Sequence, residues 1–466
     1  LVLSAPGLFP GRGYAITVNE EETLSREFMK VVSSRFEFIQ DPLITTYVSG
    51  IGKHIVSVLP PQPFSYHFYV IRENVYNAFA TPAGHIFINS GLIMAMENEE
   101  ELAGILAHEI AHVACRHISQ KIDRSKKLQI ATLAGVVAGI FLGVGGSAVA
   151  GNAVTAGSIA AGQSAALAYS REDEMQADQL GLDLLSKAGY GANGLLSVLE
   201  KIRAKQWFGS DQIPSYLSTH PASEERMANI DVWIEKHDEA VDKKKADPAF
   251  ARMHARLLAL YEEERIALEF FEAAVKKNPD DATALYGYGL VLGRIGRRDD
   301  AIRQFRAALA YQAFDPYILT GLGQMYFLEG RYADALRVLD GASSISENDP
   351  ELLFYLGRSQ MEVGDLEAAA QTLGQVIEIT GTYHKAYYFL GDIYGKMEKL
   401  GDAHYYLGMY YKNTKDIKNA LFHLRKAATY STADPERAQH IRQMLEELQK
   451  QEAELKVDQM IKDRKR

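Results

Sequence analysis

The stretch Asn98-Glu99-Glu100-Glu101-Leu102-Ala103-Gly104-Ile105-Leu106-Ala107-His108-Glu109-Ile110-Ala111-His112 specifies both a helix and a chemistry. Asn98 is placed to cap a helix, and the three glutamates after it suit the positive end of the helix dipole. The residues that follow are apolar over most of the circumference. The helix is therefore expected to be buried and to run to about Lys121. His108 and His112 are four apart and share one face, so both imidazoles can reach one ion at about 2.0–2.1 Å. Glu109 projects beside them, in reach of a proton on an attacking water. This is the H-E-x-x-H arrangement of a zinc site with an adjacent general base.

A catalytic zinc needs a third protein ligand and one open position. Arg171-Glu172-Asp173-Glu174-Met175-Gln176-Ala177-Asp178 opens a second charged helix that stops near Gly189. Glu174 and Asp178 are again four apart. Spacing leaves two readings open: one carboxylate on the metal with the other receiving an N–H from a ligand histidine, or a solvated acidic face. His220, in the turn Ser218-Thr219-His220-Pro221, reads either as a structural loop histidine or as a switchable ligand. Arg226 either stabilises an oxyanion or pairs with carboxylates near Glu174. His117, five residues beyond His112, is read as pointing off the ligand face, and His54, His67 and His85 as structural or surface residues. Cys115 lies in an apolar helix and reads as a small buried filler, not a reactive thiol.

Upstream, Tyr76-Asn77-Ala78-Phe79-Ala80, Thr81-Pro82-Ala83-Gly84 and His85-Ile86-Phe87-Ile88-Asn89 read as strand, turn, strand. An extended substrate is expected to add to an exposed strand edge, at Asn77 to Ala80 or His85 to Asn89. Residues 128–170 hold no charge until Ser170 and are rich in Gly and Ala. His112 before this stretch and Glu174 after it must meet at one metal, so a hairpin or lid that goes out and returns is expected. Packing on the protein, covering the site and peripheral contact with a membrane all remain open for it.

Beyond a turn-rich linker at 242–248, alanine recurs every 34 residues at Ala267, Ala301, Ala335, Ala369 and Ala403. Twelve residues before each stands Ala255, Gly289, Gly323, Gly357 or Gly391, and four after stands Phe271, Phe305, Leu339, Leu373 or Leu407. Small residues let paired helices approach and a large one locks them, which resembles the tetratricopeptide repeat. Gly408, Ala420 and Leu424 repeat the pattern half a period out of step. The helix around Tyr405 is thus expected to serve two repeats. The expected organisation is a metal-binding domain over 1–245, a repeat α-solenoid over 246–430 and a charged capping helix over 431–466.

The set His108-Glu109-x-x-His112 with Glu174-x-x-x-Asp178 resembles the HtpX-like and CAAX-protease-like zinc metallopeptidases. Its pairing with the repeats resembles the BepA-like family of periplasmic peptidase-chaperones. The resemblance implies a mainly α chain: an α+β zincin-like domain with a small β-sheet, then the tetratricopeptide-repeat α-solenoid. It implies one Zn2+ per chain on His108, His112 and Glu174, with Glu109 as base and Asp178 supporting a ligand histidine. In that family a histidine at the position of His220 can occupy the open zinc position and hold the enzyme inactive; the sequence leaves open whether His220 is such a ligand or a catalytic residue. Asn77, Ala78 and Phe79 match the family's substrate-binding strand. Arg226 is assigned to the active site. Substrates would be unfolded or misassembled proteins, with outer-membrane assembly machinery as partner of the repeats. A removed secretory segment would accord with a periplasmic location. The competing reading is a non-catalytic adaptor whose zinc is closed by His220. A formal charge of −10 argues against nucleic-acid binding.

Overall fold

Local capping starts the two N-terminal helices. Thr17 and Glu20 form a reciprocal capping box for Val18–Arg35. Asp41, followed by Pro42, caps Pro42–Val56. In the computed structural model, which describes residues 17–124, 169–208, 215–221, 223–237, 247–430 and 435–464, the chain divides into two compact units, 1–263 and 264–466.

The first unit holds a three-stranded sheet of β1 (His67–Ile71), β2 (Ala78–Ala80) and β3 (His85–Asn89), in the order β1-β3-β2. β3 runs parallel to β1 and antiparallel to β2. The expected strand, turn, strand is β2, a single 3-10 turn at Pro82–Gly84, and β3. One expectation is corrected here. His85–Asn89 offers no edge to a substrate, because both its sides are already paired; of the two expected stretches, only the one in β2 lies on an outer strand.

The metal-site helix spans Glu99–Ala114, with Asn98 Oδ1 accepting from the Glu101 N–H at 3.0 Å. It ends well before Lys121. Arg116 adopts a left-handed backbone (φ 55°) and a separate helix begins at His117. That turn lets the Arg116 guanidinium reach the buried Glu21, 2.8 Å from Nε. Leu102, Ile105, Leu106 and Ile110 share one core with Leu182 and Leu185 of the acidic helix Arg171–Ala188, and with Leu195, Leu199 and Ile202 of Asn193–Phe208. Gly104 permits the closest of these crossings: a Cβ there would lie 2.7 Å from the backbone N of Leu195.

Short helices Ser215–Thr219 and Glu224–His237 follow, then Pro248–Tyr261. By the 34-residue register Pro248–Tyr261 is the first helix of the array, yet Phe250, Met253 and Leu257 lie in the core of the first unit. Arg256 there donates to Asp41 at 2.6 Å.

The second unit runs from the helix Glu264–Lys277 onward as antiparallel helix pairs. Asp281, Asp315 and Asp349 cap the first helices of successive pairs. The small-to-large lock is physical: a Cβ on Gly289, Gly323, Gly357 or Gly391 would lie 2.4–2.8 Å from Phe305, Leu339, Leu373 or Leu407 respectively. Gly408 meets Leu424 in the same way at 2.7 Å, so Leu400–Asn413 does serve two repeats. The terminal helix Pro435–Arg464 is less solvated than its composition suggests. Ile441, Met444 and Leu448 are buried against Leu421 and Leu424. Among the described residues, no helix is long and apolar enough to cross a membrane. The expected hairpin or lid lies outside the described residues, except for its last two positions.

Candidate metal centre

His108 and His112 project from the buried metal-site helix toward Glu174 of the acidic helix, and all three are essentially unexposed. Small residues make that crossing close: a Cβ on Gly181 would sit only 3.4 Å from the Ala107 backbone. His220 enters from the turn after Ser215–Thr219. The donor atoms of His108, His112, Glu174 and His220 all lie within 4.8 Å of one another. His112 Nε2 is 3.0 Å from His108 Nε2 and 3.3 Å from Glu174 Oε1. His220 Nδ1 is 3.3 Å from His108 Nε2 and 3.0 Å from Glu174 Oε1.

These separations test the fit of a metal. A tetrahedral zinc with bonds of about 2.0–2.1 Å has ligand-to-ligand edges of about 3.3 Å, close to what the four donors present. Four converging lone-pair donors in a buried interior repel one another unless a cation or shared protons lie between them. The histidines respond in opposite directions. Burial holds the His112 imidazole well below its usual range. Burial and Arg226 also oppose charging of His108, but bonds to Asp178 and Glu174 outweigh them and push it up to about 9.

Carboxylates surround the donors with distinct tasks. Asp178 Oδ1 lies 3.0 Å from His108 Nδ1, so it receives the N–H that leaves Nε2 free for a metal. Arg226, only 2% exposed, donates to Asp178 from Nε at 2.5 Å and from Nη2 at 2.9 Å, and pairs with Glu174 through Nη1. The guanidinium also donates to the Pro221 carbonyl at 3.2 Å and lies 3.4 Å from both ring nitrogens of His108. Burial would raise both acids. Arg226 outweighs it and holds Glu174 well below, and Asp178 below, the usual carboxylate range. Glu109 is different. It is fully buried, neither oxygen has a hydrogen-bond partner among the described residues, and His220 Nε2 lies 3.7 Å from Oε1. Burial pushes its carboxyl upward, the direction that suits a group taking up a proton.

Residues 45–234 match the family model described as Peptidase family M48, and residues 265–297, 289–350 and 326–390 match tetratricopeptide repeat models. The chain carries an M48 metallopeptidase domain followed by tetratricopeptide repeats. A Beta-barrel assembly-enhancing protease from Yersinia pestis is 25% identical over 299 residues, covering 64% of this chain and 61% of that protein. One from Escherichia coli (strain K12) has the same identity and coverage. The Mitochondrial metalloendopeptidase OMA1 of Schizosaccharomyces pombe is 28% identical over 222 residues, covering 47% of this chain and 62% of that protein. The chain spans about three fifths of the length of the curated relatives it matches.

Other expected residues of the M48 domain fall outside the donor cluster. Asn77, Ala78 and Phe79 lie at the start of the edge strand β2, all buried. The Phe79 ring stacks on Phe87 at 4.9 Å, in the hydrophobic cluster that also holds Phe28, so any substrate contact there would be through backbone. Cys115 is buried, and its thiol is pushed up to about 11 by burial and Asp173, as an inert filler should be. Tyr169, Tyr216 and Gln176, which the sequence did not single out, and His117, which was expected to point off the ligand face, also crowd the site. Tyr169 stacks on His112 with centroids 3.8 Å apart, and Tyr216 stacks on His220 at 4.6 Å. His117 Nδ1 sits 2.9 Å from His112 Nδ1 and is held on its far side by Gln176. Tyr216 had a usable signal, four residues before His220 on one helical turn; Tyr169 and Gln176 had none.

Proposed function

We propose that this chain is a zinc-dependent endopeptidase that hydrolyses extended or misfolded protein segments. The observation that carries this reading is Glu109: a fully buried carboxylate with no hydrogen-bond partner among the described residues, one residue from the candidate ligand His108. A purely structural metal site has no use for such a group. Zinc, when bound by His108, His112 and Glu174, polarises the scissile carbonyl and lowers the pKa of water. Glu109 accepts the proton of the attacking water and returns it to the departing amine. Asp178 fixes the His108 tautomer, and Arg226 clamps Asp178 and Glu174. β2, an outer strand of the sheet, receives substrate backbone, which gives broad sequence tolerance. The repeats recruit clients or assembly partners. By analogy with the beta-barrel assembly-enhancing relatives, the setting is periplasmic quality control of outer-membrane proteins.

A second reading rests on His220, whose Nδ1 already occupies a fourth donor position. It makes the protein latent, or at the limit an adaptor with closed zinc. Metal content and casein cleavage of wild type, Glu174→Ala and His220→Ala separate the two. One zinc per chain in wild type, strong loss in Glu174→Ala and increased cleavage in His220→Ala support a peptidase held latent. Zinc retained in Glu174→Ala would remove the third-ligand assignment. No cleavage in any form would favour the adaptor.

A further inference from the structure

A metal takes the lone pair of one ring nitrogen, so a ligand histidine carries its proton on the other. In His112, Nε2 faces His108 and Glu174, at 3.0 and 3.3 Å. Its proton therefore belongs on Nδ1, whose neighbour at 2.9 Å is Nδ1 of His117. A donor on His112 requires an acceptor on His117. The proton of His117 then sits on Nε2, which lies 3.1 Å from Oε1 of Gln176. The reverse direction would place a proton on Nε2 of His112, inside the cluster, and abolish its ligand atom.

We propose that His117 is a positioning residue of the metal centre: it accepts the Nδ1–H of His112 and, oriented by Gln176, holds that imidazole as an Nε2 ligand. The inference rests on the zinc-site reading above. Backbone geometry supports it independently. On an unbroken helix a residue five positions along lies about 140° around the axis from His112. The left-handed Arg116 ends the helix and returns His117 to His112. His117 is itself only 1% exposed. Tyr169 packs on the His112 ring face, so stacking and a hydrogen bond together set its orientation.

The two helix ligands are consequently unlike. His108 is backed by a carboxylate that strengthens it as a donor, His112 by a neutral imidazole that does not. A metal held this way keeps more Lewis acidity than one held by two carboxylate-backed histidines, while its geometry stays fixed.

The test is the zinc affinity of the full chain, by competition with a chromophoric chelator, for wild type, His117→Ala, His117→Gln and Gln176→Ala. His117→Ala should bind zinc about 10–100-fold more weakly, with the metal-free circular dichroism spectrum unchanged. The cobalt-substituted absorption spectrum should shift with it. His117→Gln retains an acceptor oxygen and should recover most of the loss, which a merely space-filling role would not produce. Affinity of His117→Ala indistinguishable from wild type overturns the proposal. Should His117→Ala fail to fold, Gln176→Ala at the exposed end of the chain decides: weaker binding supports the proposal, unchanged binding overturns it. Failure of the zinc-site reading looks different, because wild type and His112→Ala would then bind zinc equally poorly, and the role of His117 falls with it.

Discussion

The interior of the metal centre and the interior of the repeat array are built from opposite materials. In the metal centre the buried groups include four histidines (His108, His112, His117 and His220), three acids (Glu109, Glu174 and Asp178) and Arg226, none more than 5% exposed. In the array the buried contacts are a large apolar side chain set against a glycine, as with Leu339 on Gly323, while its ion pairs, such as Arg331 with Asp334, stay at the surface. The first interior is costly unless its charges are matched, and a bound cation completes the match. The second needs only shape. One unit should therefore depend on metal and charge pairing, and the other on side-chain volume.

Chelation tests this contrast with the largest effect. Zinc at a thousandfold excess over its dissociation constant stabilises by about 4 kcal/mol. Adding chelator should lower the melting transition of the first unit and leave that of the second in place, as followed by calorimetry. A shift of both together would break the contrast.

Arg226→Met comes next. It leaves Glu174 and Asp178 buried without their guanidinium, a loss of about 3–5 kcal/mol, again confined to the first transition. In the array, Leu339→Ala should cost about 2–5 kcal/mol through the cavity it opens. It should lower only the second transition and leave zinc content at the wild-type level. At the small end, Asp334→Asn removes an exposed pair and should move neither transition measurably. Cys115 should resist a thiol reagent at pH 8 in the folded protein, because its thiol is buried and pushed up to about 11. Rapid labelling would show that the helix end around it opens.

Much of this was legible in the chain because it is local. His108 and His112, Glu174 and Asp178, and the 34-residue alanine series are all spacings along single helices, and a helix converts spacing into a shared face. What escaped depends on packing between elements. The break at Arg116 has no Gly or Pro to announce it; it accompanies the pairing of Arg116 with Glu21, 95 residues away in sequence. That break alone turns His117 from an off-face residue into a neighbour of His112. The position of β3 at the centre of the sheet depends on β1, which the strand, turn, strand pattern does not contain. Pro248–Tyr261 keeps the repeat register but exposes Phe250, Met253 and Leu257 to a different core. Periodicity reports how a helix is made, not which core receives it.

If, as proposed, Glu109 performs hydrolysis beside a zinc held by His108, His112 and Glu174, Glu109→Gln should show it most directly in a His220→Ala background, where the proposed fourth donor is removed. Glutamine keeps the shape and removes the proton acceptor. The expected result is one zinc per chain, as in the His220→Ala parent, with casein cleavage reduced by at least about 100-fold. Cleavage equal to that of the parent, with zinc retained, would contradict the account.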